Sequence, residues 1–326
     1  MTKALGMLSG GLDSILACKI LMEQGIEVVG VTYISPFFSE KNGREAAEQL
    51  GIELKVVDIT DELLDVIRKP KYGFGKGVNP CIDCHGLMFR TTGQIIKDEG
   101  FDFMFSGEVL NQRPMSQNNE SLKKVLKLSE NEDSILRPLS AKLLPETLAE
   151  KEGKVDRERL LDLSGKGRKR QFELAEKYGI KNFPTPAGGC RLTNPQYTKR
   201  FKPFINLEKT NKEIVRDLKL LLVGRHIKLF DENWVIVGRN ESDNNALIEL
   251  ADVSDVKMYV KDYVGPVLLI VGNKNKDIIN DCASICVRYS DVDADLEIEV
   301  VVEVDDEKQI VKVKACGDDF FRKYLI

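Results

Sequence analysis

Histidine and tryptophan are nearly absent from this 326-residue chain, which holds two His (His85 and His226) and one Trp (Trp234). Two histidines cannot build a His-rich metal centre, and they argue against catalysis by paired imidazoles. No run nears the ~20 apolar residues that a membrane-spanning helix needs, which excludes an integral helical membrane protein. The first residues, Met1-Thr2-Lys3-Ala4-Leu5-Gly6-Met7, lack the layout of a secretory signal, because glycines and Asp13 interrupt the apolar stretch. The expected location is cytoplasmic, with no membrane partner. Seven Cys are present: Cys18, Cys81, Cys84, Cys190, Cys282, Cys286 and Cys316. In a reducing compartment they are not expected to form a disulfide framework, which leaves packing, metal ligation or catalysis.

Charge of one sign is also scarce on average but not locally. The net of −4 comes from 48 basic and 52 acidic side chains. Residues 1–140 carry 16 basic and 20 acidic groups, a net of −4; residues 141–228 carry 21 and 11, a net of +10; residues 229–326 carry 11 and 21, a net of −10. The basic middle, densest at Lys166, Arg168, Lys169 and Arg170 and again at Lys199, Arg200 and Lys202, suits a polyanion or simply a solvated helix face. Before it, short apolar strands alternate with helical segments: strands at 4–8, 26–33, 54–57 and 101–105, helices at 13–24, 44–50, 61–68 and 87–97. That order predicts βαβ units in a doubly wound parallel α/β sheet over residues 1–140. Residues 141–224 read as a mostly helical connector, with helices at 157–163, 170–177 and 212–222 around a Pro- and Gly-rich stretch at 183–190. Residues 225–326 read as a smaller α+β domain with strands at 235–237, 256–260, 267–271, 296–304 and 309–315 and a helix at 276–289. Its last two strands form a hairpin around Asp305-Asp306-Glu307. Cys282 and Cys286 fall on that helix among apolar residues and read as core.

Two constellations carry chemistry. Ser9-Gly10-Gly11-Leu12-Asp13-Ser14 ends the first strand and opens the first helix. Glycines let backbone amides approach an anion, and a helix start favours negative charge. Asp13 beside a phosphate makes sense once Mg²⁺ bridges the two. The spacing is neither a Walker loop nor a dinucleotide fingerprint. The second constellation is Asn79-Pro80-Cys81-Ile82-Asp83-Cys84-His85 together with Cys190 of Pro186-Ala187-Gly188-Gly189-Cys190. Cys81 and Cys84 can meet on one metal or each other, and Cys190 supplies a third thiol. On residue chemistry alone an iron–sulfur cluster, a zinc site and a redox or persulfide pair stay comparable.

The loop SGGLDS resembles the pyrophosphate loop of the PP-loop ATPases (N-type ATP pyrophosphatases, of adenine nucleotide alpha hydrolase-like fold), which cleave ATP to AMP and pyrophosphate. NPCIDC, the segment Gly107–Gln117, Arg137-Pro138-Leu139 and PAGGC together resemble tRNA thiouridine synthases of that superfamily, over about residues 4–200. The resemblance implies ATP-dependent tRNA uridine thiolation: adenylation of a carbonyl oxygen, then sulfur insertion with AMP release. It implies that Ser9, Gly10, Gly11, Asp13 and Ser14 hold ATP and Mg²⁺. Gly107, Glu108, Gln112 and Arg113 are the expected further contacts to ATP or the adenylated base, and Arg113 or Arg137 offers charge for the α-phosphate. Cys81, Cys84 and Cys190 are expected to ligate a 4Fe–4S cluster and, with Asp13, to carry the catalysis; a Cys84–Cys190 persulfide relay is the variant without a cluster. The expected partners are tRNA and a sulfur donor (sulfide or a persulfide carrier), and a homodimer is admitted. A 4-thiouridine product is favoured weakly over 2-thiouridine.

One departure concerns RNA. Bacterial 4-thiouridine synthases usually carry an N-terminal RNA-binding module, and here the loop starts at residue 9, so RNA is expected to be gripped elsewhere. Asn233–Asn240 followed by Asn244-Asn245-Ala246-Leu247 resembles the RNA-binding domain of NFACT-type ribosome quality-control proteins over about residues 228–290, with Arg239 and Asn240 as expected contacts. The net of −10 there opposes a polyanion, so on charge the basic middle is the stronger RNA contact. Two rivals differ in kind: an amide- or nitrile-forming PP-loop enzyme acting on a small molecule with zinc at the cysteines, and a non-enzymatic RNA-binding module.

Overall fold

The computed structural model describes residues 2–131, 133–184, 189–272, 276–305 and 307–326. The chain divides into two compact units, Met1–Asn194 and Pro195–Ile326. The connector expected at 141–224 is shared between these two units. Most of the basic connector belongs to the first unit and its end to the second. Among the described residues no helix is long and apolar enough to cross a membrane.

In the first unit β1 (Lys3–Met7), β2 (Glu27–Ile34), β3 (Leu54–Asp58), β4 (Phe103–Ser106) and β5 (Ile135–Leu136) form a parallel sheet in the order β3-β2-β1-β4-β5. Six consecutive buried residues run through β2, as both-face burial in a parallel sheet demands. Helices α1 (Leu12–Met22), α2 (Lys41–Leu50), α3 (Thr60–Arg68), α4 (Cys81–Glu99) and α5 (Asn119–Ser129) connect and cover the strands. Two more, α6 (Leu148–Lys151) and α7 (Lys169–Lys177), follow the last strand. The order reverses between β1 and β4, so their carboxyl ends form the crevice where open α/β sheets bind ligands. Helix α1 is buried nearly all round, from Leu12 to Leu21. Its core also takes in Ala149, Val155, Leu160, Leu163, Ala175 and Ile180, so residues 149–180 cover the sheet side that α1 occupies.

The elements differ from the sequence reading in several places. Helix α4 starts at Cys81 and not at Leu87, placing both CxxC thiols in its first turn. The expected helix at 157–163 shrinks to a single turn at Arg157–Arg159. Beyond it the Leu161 amide donates to the Pro138 carbonyl at 3.0 Å and the Leu163 amide to the Leu139 carbonyl at 2.8 Å, a distant pairing no local pattern announces. Helix α5, α6 and the short β5 had no counterpart in that reading. Of the motif PAGGC, Pro186-Ala187-Gly188 lie outside the described residues, as does Asp306 of the hairpin turn.

The second unit opens with α8 (Pro195–Phe204) and α9 (Asn211–Leu220). Its six strands are β6 (Arg225–Leu229), β7 (Asn233–Val237), β8 (Val256–Val260), β9 (Leu268–Val271), β10 (Ile298–Val304) and β11 (Glu307–Val313). They form an antiparallel sheet in the order β11-β10-β8-β9-β7-β6. Helices α10 (Glu241–Leu250), α11 (Ile279–Arg288) and α12 (Asp318–Phe321) complete it. Cys282 and Cys286 on α11 are fully buried in the core, as their apolar setting predicted. Near β6 and β7 an aromatic cluster forms. Phe204 stacks on Trp234 at 4.6 Å, and the Trp234 indole N–H donates to His226 Nδ1 at 3.0 Å.

Candidate active site

The loop Ser9–Ser14 joins β1 to α1 at the sheet's carboxyl edge. Gly11 caps α1 without any side-chain cap; the Ser14 amide donates to the Gly11 carbonyl at 3.0 Å, and no side chain takes the Leu12 and Asp13 amides among the described residues. Gly10 has φ of +78°, and a Cβ there would overlap the Asn42 carbonyl. Gly107, just past β4, lies so close to Asp13 and Ser14 that a Cβ would overlap the Ser14 amide nitrogen. Glycine at both positions is what lets the loops from β1 and β4 close on each other.

Asp13 is the centre of a polar web. The Gln112 amide donates to Asp13 Oδ2 at 2.6 Å, and Gln171 on α7 donates to Gln112 Oε1 at 2.9 Å. Arg168 Nη2 lies 3.4 Å from Asp13 Oδ1. Two expected residues thus meet, and two from residues 141–194 join them that the sequence did not assign to this site. The basic run around 168 was the signal for one of them. It splits: Arg170 faces outward and pairs with Asp162 at 2.7 Å, whereas Arg168 is only 14% exposed. Ser9, Gly11 and Ser14 stand in the loop as expected, and Ser14 turns its hydroxyl onto the Gly11 carbonyl at 2.8 Å.

Glu108 departs from its expected role. It is buried, with Arg137 Nε donating to Oε2 at 2.8 Å, His85 Nδ1 at 3.0 Å from Oε1, and the Ser106 hydroxyl donating to Oε2 at 3.3 Å. Burial alone would raise this carboxyl, but the Arg137 and His85 charges and hydrogen bonds outweigh it and hold it at about 2. A carboxylate so committed is a girder rather than a phosphate contact. Arg137 commits its Nε to Glu108, while its Nη2 is buried without a hydrogen-bond partner among the described residues. Arg113 is exposed and its side chain has no partner among the described residues.

The thiols stand beside this girder. His85 directly follows Cys84, so Gly107 and Glu108 touch the phosphate loop with one residue and the cysteine helix with the next. Cys81 and Cys84 occupy the first turn of α4, and the Asn79 amide donates to Cys81 Sγ at 3.0 Å. Asp83 accepts from the Lys71 and Tyr72 amides at 2.7 and 3.1 Å, fixing the loop before the helix. The third thiol is strapped to the end of β2: the Arg191 amide donates to the Phe37 carbonyl at 3.0 Å and its guanidinium to the Pro36 carbonyl at 2.6 Å. The three thiols are close enough to feel one another. Burial pushes Cys84 up, with Cys190, Cys81 and Asp83 adding to it. Burial pushes Cys190 up to about 11, with the Cys81 charge adding to it. Both therefore rest as thiols. Among the described residues no three His, Cys, Asp or Glu side chains are spaced to hold a metal ion. The trio as positioned does not match a cluster seat, and no step below runs through one.

In the second unit Asn240 caps α10, accepting from the Asp243 amide at 2.9 Å, and Arg239 is clamped by Asp243 at 2.6 Å. Both side chains serve the turn itself.

Comparison with known proteins matches two stretches of the chain and leaves residues 150–223 between them unmatched. Residues 2–149 match the model of the tRNA methyl transferase HUP domain, and residues 224–325 that of the NFACT protein RNA binding domain. The tRNA-specific 2-thiouridylase MnmA 3 of Bacteroides fragilis is 36% identical over 104 residues, covering 31% of this chain and 29% of that protein. The tRNA-specific 2-thiouridylase MnmA of Campylobacter fetus is 30% identical over 154 residues, 44% of each chain. The chain thus spans less than half the length of these curated relatives. A solved 4-thiouridine synthetase–RNA complex with bound ATP aligns at 22% identity and a TM-score of 0.36, over 55% of this chain and 52% of that one, too slight a likeness to argue from.

Proposed function

We infer the function from one premise: the chain joins a PP-loop domain of the tRNA-thiolating kind to an NFACT-type RNA-binding domain. It is an ATP-dependent tRNA uridine sulfurtransferase. The observation that carries this reading is the two-residue step Gly107-Glu108. Gly107 packs on the phosphate loop and Glu108 holds the residue after Cys84, so nucleotide and sulfur chemistry share one sheet edge. Thiolation needs both, because a carbonyl oxygen leaves poorly until adenylated, and the sulfur must then be held near the activated carbon.

The loop Ser9–Ser14 binds the ATP phosphates, and Asp13 faces the Mg²⁺ that accompanies them. Gln112 orients Asp13. Residues 224–325 and the basic stretch bind tRNA, whose target base leaves its stack to reach the crevice. Cys81, Cys84 and Cys190 handle the sulfur. A Cys84–Cys190 persulfide relay needs only two thiols to meet and fits their mutual closeness; the 4Fe–4S form expected from the sequence needs all three on one cluster. The names of the curated relatives support 2-thiouridine over the 4-thiouridine expected above.

The test is anaerobic incubation of the purified chain with unmodified tRNA, Mg·ATP and, in parallel, either sulfide or a persulfide-bearing sulfur carrier with a thiol reductant, followed by nucleoside mass spectrometry. The expected result is AMP release that depends on RNA, together with a thiolated uridine whose chromatographic position distinguishes the 2- and 4-isomers. AMP release without RNA would instead favour a small-molecule amide-forming enzyme. Iron and sulfide analysis of anaerobically reconstituted protein separates relay from cluster.

A further inference from the structure

The Arg168 guanidinium is held in an unfinished state. Among the described residues its one polar contact is the 3.4 Å approach of Nη2 to Asp13 Oδ1, long for a charge-assisted pair. Nε and Nη1 are buried and have no hydrogen-bond partner among the described residues. Folded chains seldom leave two donors of one buried side chain unsatisfied. The position is not a loose one. The Gly165 amide donates to the Leu110 carbonyl at 2.7 Å on one side of Arg168, and Gln171 is tied to Gln112 on the other. The group also lies over the Phe172 ring, 5.5 Å from its centroid. Both anchors sit on the loop that follows β4, so the backbone is fastened to the crevice while the fork is left without acceptors.

We propose that Arg168 is a further nucleotide-binding residue, whose fork takes oxygens of the bound triphosphate in place of Asp13 and so frees the Asp13 carboxylate for the accompanying divalent cation. This rests on the reading of Ser9–Ser14 as an ATP site. The acceptor must be an oxyanion able to meet a planar fork of donors, which is phosphate chemistry. A bare RNA phosphodiester would meet the negative charge of Asp13, whereas a triphosphate brings its own cation. The apo ion pair is then a placeholder: Asp13 keeps Arg168 in position, and substrate displaces it.

The experiment is calorimetric titration of the full chain with Mg·ATP and, separately, with adenosine, for wild type, Arg168→Gln and Arg168→Lys. Loss of a charge-assisted contact should weaken Mg·ATP about 10-fold to 100-fold in Arg168→Gln while adenosine binds as before. Arg168→Lys, which keeps charge but not the fork, should recover part of the loss. Equal Mg·ATP affinity in wild type and Arg168→Gln would overturn the inference and leave the ATP site standing. A parallel loss for ATP and adenosine would mean that Arg168 only holds the fold, and would overturn it too. If wild type binds neither ligand, the ATP reading itself falls and this inference with it.

Discussion

Acid should loosen the second unit through one histidine, and the chain's single tryptophan reports it. His226 is fully buried and accepts the Trp234 indole proton on Nδ1, which requires that nitrogen to be unprotonated. Burial, helped by the Arg200 charge, lowers this imidazole from 6.5 to about 3. The sign follows from linkage. Below pH 6.5 the unfolded chain takes up a proton that the folded chain refuses, so stability is full above 6.5 and falls as pH drops towards 3. Between pH 7 and pH 5 the loss works out at about 2 kcal/mol, since each pKa unit corresponds to ~1.4 kcal/mol and the unfolded imidazole is already partly charged at pH 7. Urea unfolding followed by Trp234 fluorescence at both pH values measures it. His226→Gln supplies the control, because a side-chain carbonyl can accept from the indole without titrating. Wild type should lose about 2 kcal/mol more than the variant over this range. If the two lose stability in parallel, the argument fails.

Three further predictions concern the first unit. Glu108→Gln leaves the buried Arg137 charge unpaired and should cost about 3–5 kcal/mol, read by urea unfolding followed by far-UV circular dichroism, whereas Glu108→Leu combined with Arg137→Met should restore most of it. In wild type that pair's contribution should persist at neutral pH and fade as pH falls from about 4.5 towards 2, because the folded carboxyl is held low. Gly10→Ala forces a Cβ into the Asn42 carbonyl at a left-handed φ and should cost about 1–3 kcal/mol while abolishing Mg·ATP binding, measured by thermal melt and calorimetry. Cys190→Ala should stop thiouridine formation and leave Mg·ATP affinity intact; thiolated tRNA at the wild-type rate would show that Cys190 is not part of the sulfur chemistry.

Much of the first sheet was readable because its strands are short apolar runs bounded by Gly and Ser, β-branched in β2 and β3, and local pattern is enough for those. The phosphate loop was readable because its glycines have a backbone reason. What escaped depended on distant partners. β6, Arg225–Leu229, alternates charged and apolar residues and becomes a strand through its pairing with β7. Leu160 to Leu163 look helical, yet the Leu161 and Leu163 amides pair with residues 138 and 139. Glu108 looked like a ligand contact because it follows a strand end; only the tertiary structure reveals Arg137 and His85 around it. Arg168 announced itself as charge, but nothing local says which of four neighbouring cations turns inward.

The cover that residues 149–180 lay over α1 decides where the chain can be cut. The matched HUP domain ends at residue 149, and a fragment stopped there would contain all five parallel strands, the phosphate loop, Cys81 and Cys84. It would lack Arg168, Gln171 and Cys190, and the apolar flank of α1 that Leu160, Leu163 and Ala175 shield would face water. The shortest fragment expected to keep that flank covered is therefore Met1–Asn194, and one stopped at residue 149 is expected to aggregate.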